Sequence, residues 1–197
     1  MNAVISHPPI PLRRPAVNTQ RDPSRPHVQG LHHWAYRCRD SEETRHFYED
    51  ILGLPLAAAV FHEKVPSTGE YYPYYHIFFE LADGSYVAFF DLLDGKPYVQ
   101  DVETPSWLHH IALEVDSRES LEIAKARLVA AGVEVLGIVP HGWFDSIYFF
   151  DPNGMRLELV HRTASLEDME AKAKAARELL AQRPTKIAEL RQRAAQA

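Results

Sequence analysis

Two stretches that almost repeat one another restrict this chain more than anything else in it. Leu31-His-His-Trp-Ala35 returns as Leu108-His-His-Ile-Ala112, and Asp40-Ser-Glu-Glu43 returns as Asp116-Ser-Arg-Glu119 with one residue fewer in between. The first motif of each pair alternates as a strand does. The second is a helix start, an acidic cap with glutamate three positions on, which would satisfy N–H groups that the first turn leaves without partners. A repeat this close implies two copies of one supersecondary unit. Neither copy is large enough to bury both faces of its own sheet, so pseudo-twofold packing is expected.

Each copy can be followed along the chain. After the first cap, a helix runs through Phe47, Ile51 and Leu52 and stops at Gly53. A second strand starts near Leu56, residues 63 to 75 read as a loop rich in Pro, Gly and Tyr, and His76–Leu81 pairs with Tyr86–Leu92 across Ala82-Asp-Gly84. In the second copy, Leu121, Ala124 and Leu128 mark a helix face that Gly132 ends, and a strand is expected over Val133–Ile138. Two apolar runs then flank Asp151-Pro-Asn-Gly154 as a hairpin. The fold class is therefore α+β, two βαβββ repeats forming a curved mixed sheet around a metal site. Residues 30–93 and 107–162 are the modules and 94–106 the linker. Residues 1–29 form an extended Pro-rich arm, and 163–197 a helical extension capped by Ser165 and broken at Pro184. The extension reads as an amphipathic appendage for packing or dimerisation.

Composition narrows the function classes. A net charge of −6 without a basic block argues against nucleic acid as partner. No apolar run approaches membrane-spanning length. The single cysteine, Cys38, leaves no intrachain disulfide, and prolines stand where a secretory signal needs an apolar core, so a cytoplasmic location is expected. Eleven histidines point toward metal or proton chemistry.

Strand parity says where that chemistry sits. Ile111, Leu113 and Val115 make an apolar stripe for the helix side, which turns His110, Ala112 and Glu114 the other way. The same parity puts Trp34 and Tyr36 under the first helix and His33 opposite. On the last strand Glu158 lies between Leu157 and Leu159 and shares a face with Arg156. A carboxylate on an inner face needs a cation, either an arginine such as Arg156 or a metal ion. Pseudo-twofold packing would bring His33 and His110 together with Glu158. Two imidazoles and one carboxylate on one side of an ion suit Fe(II), with Mn, Ni or Zn as alternatives.

These motifs resemble the vicinal oxygen chelate superfamily, which includes glyoxalase I, fosfomycin-resistance thiol transferases, bleomycin-binding proteins and extradiol ring-cleaving dioxygenases. The resemblance covers about residues 30 to 162 and implies His33, His110 and Glu158 as metal ligands. A glyoxalase carries a fourth ligand in the first repeat, and counting from the turn glycine puts Ala88 there. The run Val139-Pro-His141, Ile147-Tyr148, Asp151-Pro152, Gly154 and Glu158 looks like the extradiol dioxygenase signature. It implies Tyr148 as a hydrogen-bonding partner of a substrate oxygen and His141 close behind. The further acid/base histidine of that family has no counterpart at 83–87, and His76 is the nearest substitute.

The functional expectation is a metal-dependent extradiol-type dioxygenase that cleaves a catechol-like diol with O2. It would be a homodimer or higher homo-oligomer, with a small aromatic substrate and O2 as its partners. Alternatives are a glyoxalase-like lyase or isomerase or a thiol transferase using Mn, Ni or Zn, or a non-enzymatic ligand-binding protein of the same fold. Trp107, Trp143, Phe144 and Tyr71 to Tyr75 are available as an apolar wall.

Overall fold

The computed structural model describes residues 30–99 and 103–196, so the arm expected at 1–29 lies outside the described residues. The chain divides between Val99 and Gln100 into two units. Each carries a four-stranded mixed sheet, in the order β1 (His33–Cys38), β4 (Tyr86–Asp91), β3 (Tyr71–Glu80), β2 (Leu56–Lys64) in the first and β5 (His110–Glu114), β8 (Arg156–Arg162), β7 (Phe144–Phe150), β6 (Leu136–Pro140) in the second. The two-module α+β architecture is therefore present.

In the first unit, β1 (His33–Cys38) runs parallel to β4 (Tyr86–Asp91), while β3 (Tyr71–Glu80) is antiparallel to both β4 and β2 (Leu56–Lys64). Trp34 and Tyr36 lie in register with Val87 and Phe89, as parity requires, on the helix side. There Tyr48 is wholly buried, stacked on Phe79 at 5.2 Å and tilted on Phe89 at 4.9 Å. Asp40 caps α1 (Ser41–Arg45), accepting from the N–H groups of Glu42 and Glu43. Glu43 does not close the reciprocal half of the box; its carboxylate pairs with Arg39 instead. The helix continues as a π-helical turn, His46–Ile51.

The loop expected over 63 to 75 is shorter, because β3 already begins at Tyr71. Tyrosines favour a strand, and Pro73 is tolerated there because the β2–β3 register shifts opposite it, between His62 and Lys64.

The second unit repeats the order: β5 (His110–Glu114), α2 (Arg118–Ala130), β6 (Leu136–Pro140), β7 (Phe144–Phe150) and β8 (Arg156–Arg162). Ile111, Leu121, Leu128, Ile147, Phe149, Leu157 and Leu159 are buried between sheet and helix. The α2 cap is Ser117, whose hydroxyl accepts from Ser120 N–H, one residue later than Asp116. Asp116 accepts from the Ser120 hydroxyl instead. The strand expected from Val133 starts only at Leu136. Val133 is used by the helix end: its N–H donates to Leu128 O and that of Gly132 to Val129 O, with Gly132 at φ +80°.

The extension forms α3 (Leu166–Ala181) and α4 (Arg183–Ala194), with Ser165 and Asp168 making a reciprocal capping box and Pro184 in the first turn of α4. Among the described residues no helix is long and apolar enough to cross a membrane.

The two faces of α2 should separate in mutagenesis. Leu128→Ala removes a fully buried side chain and should cost about 2–5 kcal/mol in urea denaturation. Ile123→Ala, on the half-exposed side of the same helix, should stay within about 0.5 kcal/mol.

Candidate functional site

The centre of the site is Glu158, in the middle of β8 and only 4% exposed. Its strand neighbours in register are Ala112 on β5 and Tyr148 on β7. His110, two residues before Ala112, therefore shares that face, and its Nε2 stands 3.0 Å from Glu158 Oε2. Arg156 is not the partner of Glu158; its guanidinium lies over the Tyr148 ring, 4.6 Å from the centroid.

Two details show that a cation fits here. His110 Nδ1 donates to Leu108 O at 3.1 Å, so the neutral imidazole carries a lone pair on Nε2. That lone pair faces a carboxylate oxygen, an arrangement that a proton or a metal ion between them would relieve. The other oxygen, Glu158 Oε1, is buried without a hydrogen-bond partner. Leaving such a group unsatisfied costs about 1–3 kcal/mol or more. A backbone carbonyl on Nδ1 also holds Nε2 as the donor atom, as metal-binding histidines require.

The structure brings together four of the residues expected in the site, all in the second unit: His110, His141, Tyr148 and Glu158. Tyr148 Oη and His141 Nε2 are hydrogen-bonded at 2.8 Å, and the His110 and Tyr148 rings stand edge to face at 6.2 Å. Burial, then the neighbouring Glu158 carboxylate, pushes the Tyr148 phenol above its ordinary value of 10.0.

His33 and His76 belong to the first unit. Ala88 is in register with Ala35 and Phe78 there, just as Glu158 is with Ala112 and Tyr148, so the first repeat has no carboxylate at this position. His33 contacts Phe78 and His76, with ring centroids at 5.7 and 6.1 Å. By register His76 occupies the place of Ser146. It is buried, stacked on Phe90 at 3.7 Å, with Nδ1 donating to Phe89 O. Burial depresses its pKa below 6.5, against the opposing effect of the Phe89 carbonyl. Among the described residues, neither unit by itself gathers three His, Cys, Asp or Glu side chains able to hold a metal ion.

Beside Glu158 opens a cleft of about 200 Å³ lined by Ala112, Glu114, Trp143, Phe144, Val160 and Arg162. Trp143 and Phe144 had been legible as wall material. The Glu114–Arg162 ion pair at its rim, two contacts of 3.1 Å, had not. Nor had Ser146, whose buried hydroxyl has no partner. Its parity with Tyr148, two residues away, was the available signal.

Residues 30–159 match the model of the Glyoxalase/Bleomycin resistance protein/Dioxygenase superfamily. The putative ring-cleaving dioxygenase MhqA of Bacillus subtilis (strain 168) is 29% identical over 135 residues, 67% of this chain and 40% of that protein. The chain thus spans well under two thirds of that curated relative. A glyoxylase/bleomycin resistance protein/dioxygenase domain from Frankia sp. EAN1pec shares the fold at TM-score 0.57 and 16% identity, covering 69% of this chain and 99% of that one. So does a mutant of the fosfomycin resistance protein FosX from Listeria monocytogenes, complexed with Mn(II) and 1S,2S-dihydroxypropylphosphonic acid. Its TM-score is 0.52 at 21% identity, covering 73% of this chain and 98% of that one.

The depressed pKa of His76 has a defined pH signature. A buried histidine kept neutral gives stability that is present above the unfolded pKa of 6.5 and lost as pH falls through the folded value. In the metal-free protein, the stability advantage of wild type over His76→Gln should therefore shrink as pH drops below 6.5. An NMR titration should show the imidazole protonating below that pH.

Proposed function

Because this chain belongs to the Glyoxalase/Bleomycin resistance protein/Dioxygenase superfamily, we propose that it is an Fe(II)-dependent ring-cleaving dioxygenase acting on a catechol-like diol with O2. His33, His110 and Glu158 are its metal ligands in this reading. The observation that carries the reading is the buried Glu158 with one oxygen unpaired and the other against His110 Nε2. A divalent metal held there would supply Lewis acidity to two vicinal oxygens and lower the pKa of a phenol.

The remaining steps belong to the chain's own side chains. Tyr148 keeps its proton at neutral pH, since its pKa is raised above 10.0, and acts as a hydrogen-bond donor toward a substrate oxygen. In the ligand-free site, its Oη–H donates to His141 Nε2 when the imidazole proton is on Nδ1. His141 is exposed, so the pair forms a route by which a proton leaves for solvent. Arg156, above the Tyr148 ring, favours negative charge on the phenol and so partly offsets the rise that burial and Glu158 cause.

His76 is placed to act as a neutral base. Its Nδ1–H is committed to Phe89 O, which leaves the Nε2 lone pair available on the face it shares with His33. The relationship to a ring-cleaving dioxygenase supports the aromatic diol. Ala88 weighs against a glyoxalase ligand set.

The test is anaerobic purification, metal analysis, and oxygen uptake with substituted catechols. Bound iron and catechol-dependent oxygen uptake are expected. His110→Ala and Glu158→Ala should each lower metal affinity by at least about 100-fold and abolish uptake. Undiminished metal in His33→Ala would overturn the ligand assignment. Bound Mn, Ni or Zn without any oxygen uptake would overturn the dioxygenase reading in favour of a lyase, isomerase or transferase.

A further inference from the structure

The helical extension touches the cleft beside Glu158. Trp143 sits at the tip of the β6–β7 hairpin, where the chain turns through Gly142 at φ +83° and His141 N–H donates to Phe144 O. A tryptophan on a two-residue hairpin tip would ordinarily be free to swing into solvent. Here the N–H groups of Thr163 and Ala164 both donate to Trp143 O at 3.0 Å. The next residue, Ser165, is the capped start of α3. From within α3, Lys172 reaches back so that its Nζ stands 5.2 Å from the centre of the Trp143 ring. That is within cation–π range. Phe144 meets the same indole edge to face at 4.8 Å. Trp143 is thus held at its carbonyl by the segment entering α3, on its ring by α3, and on its side by β7.

The cleft that this tryptophan walls, about 200 Å³, is of the scale that takes one aromatic ring. Its floor, Ala112 and Val160, lies on the face of Glu158, and its rim is the Glu114–Arg162 ion pair. We propose that Lys172 is a positioning residue: the C-terminal extension clamps Trp143 as the wall of a one-ring subsite and so sets which monocyclic substrates the site accepts. The inference rests on the proposed function for the identity of the ring, a catechol, but the clamp itself requires no metal.

That separation makes the test independent of turnover. The full-length, metal-free chain, labelled with ¹⁵N and kept under argon, is titrated with 4-methylcatechol while the indole N–H signals are followed. Trp143 is assigned by Trp143→Phe. The Trp143 signal is expected to shift on ring binding, and Lys172→Met should raise the dissociation constant about two- to five-fold. Lys172→Arg, which restores a cation over the ring, should recover wild-type affinity. If oxygen uptake is present, Lys172→Met should raise KM and leave kcat in place. An unmoved Trp143 signal, or equal affinity in wild type and Lys172→Met, would overturn the proposal. Failure of Lys172→Arg to rescue would do the same. Ring binding without oxygen uptake would uphold the clamp while rejecting the dioxygenase.

Discussion

Glu158 is a carboxylate that the second unit buries but does not fully satisfy. Leu157 and Leu159 on either side of it are core residues, so the strand has no freedom to turn the acid outward without turning both leucines into water. The sheet therefore holds the charge in place. One oxygen stands 3.0 Å from His110 Nε2 and the other accepts no hydrogen bond, a position whose burial cost a cation would offset. The residues around it are fixed in their turn. Leu108 O orients His110, Arg156 covers Tyr148, and Tyr148 leans on His141.

The two copies show how a repeat can keep its frame while dividing its chemistry. Register for register, Ala88 stands for Glu158, Phe78 for Tyr148 and His76 for Ser146. The first copy has packing in place of the carboxylate and phenol, with His33 present and His76 stacked on Phe90 and tilted against Phe78. The second copy keeps the polar set, and among its described residues the buried Ser146 hydroxyl and one Glu158 oxygen lack hydrogen-bond partners. Functional sites are where such departures from full satisfaction concentrate, because a ligand is meant to complete them.

The helical extension acquires a purpose from this geometry. Most of its surface is exposed, Leu179, Leu180 and Leu190 included, so it adds little core of its own. What it does contribute is a set of fixed points for one hairpin tip, two hydrogen bonds and one cation over a ring. Loops carry function when a rigid element fixes them.

The sequence by itself determined the two βαβββ modules, the helix faces and the residues that share the face of each sheet turned away from its helix. Those follow from period-2 alternation, glycine stops and capping residues, which are local and repeat in register. It also marked His110 and Glu158, because strand parity turns them away from the helix, and His141 and Tyr148 through the resemblance of their motif to the extradiol dioxygenase signature. Tertiary structure alone decided what meets what across strands and elements. It gave Glu158 to His110 rather than Arg156, placed Arg156 over Tyr148, joined Glu114 to Arg162, and seated Lys172 on Trp143. None of these pairs has a spacing that announces it, since each depends on how separate strands and α3 lie against one another. The local boundaries that were misjudged, Tyr71 in a strand and Val133 in a helix cap, have the same cause. A neighbouring element supplied or took away the hydrogen-bond partners that composition alone had assigned.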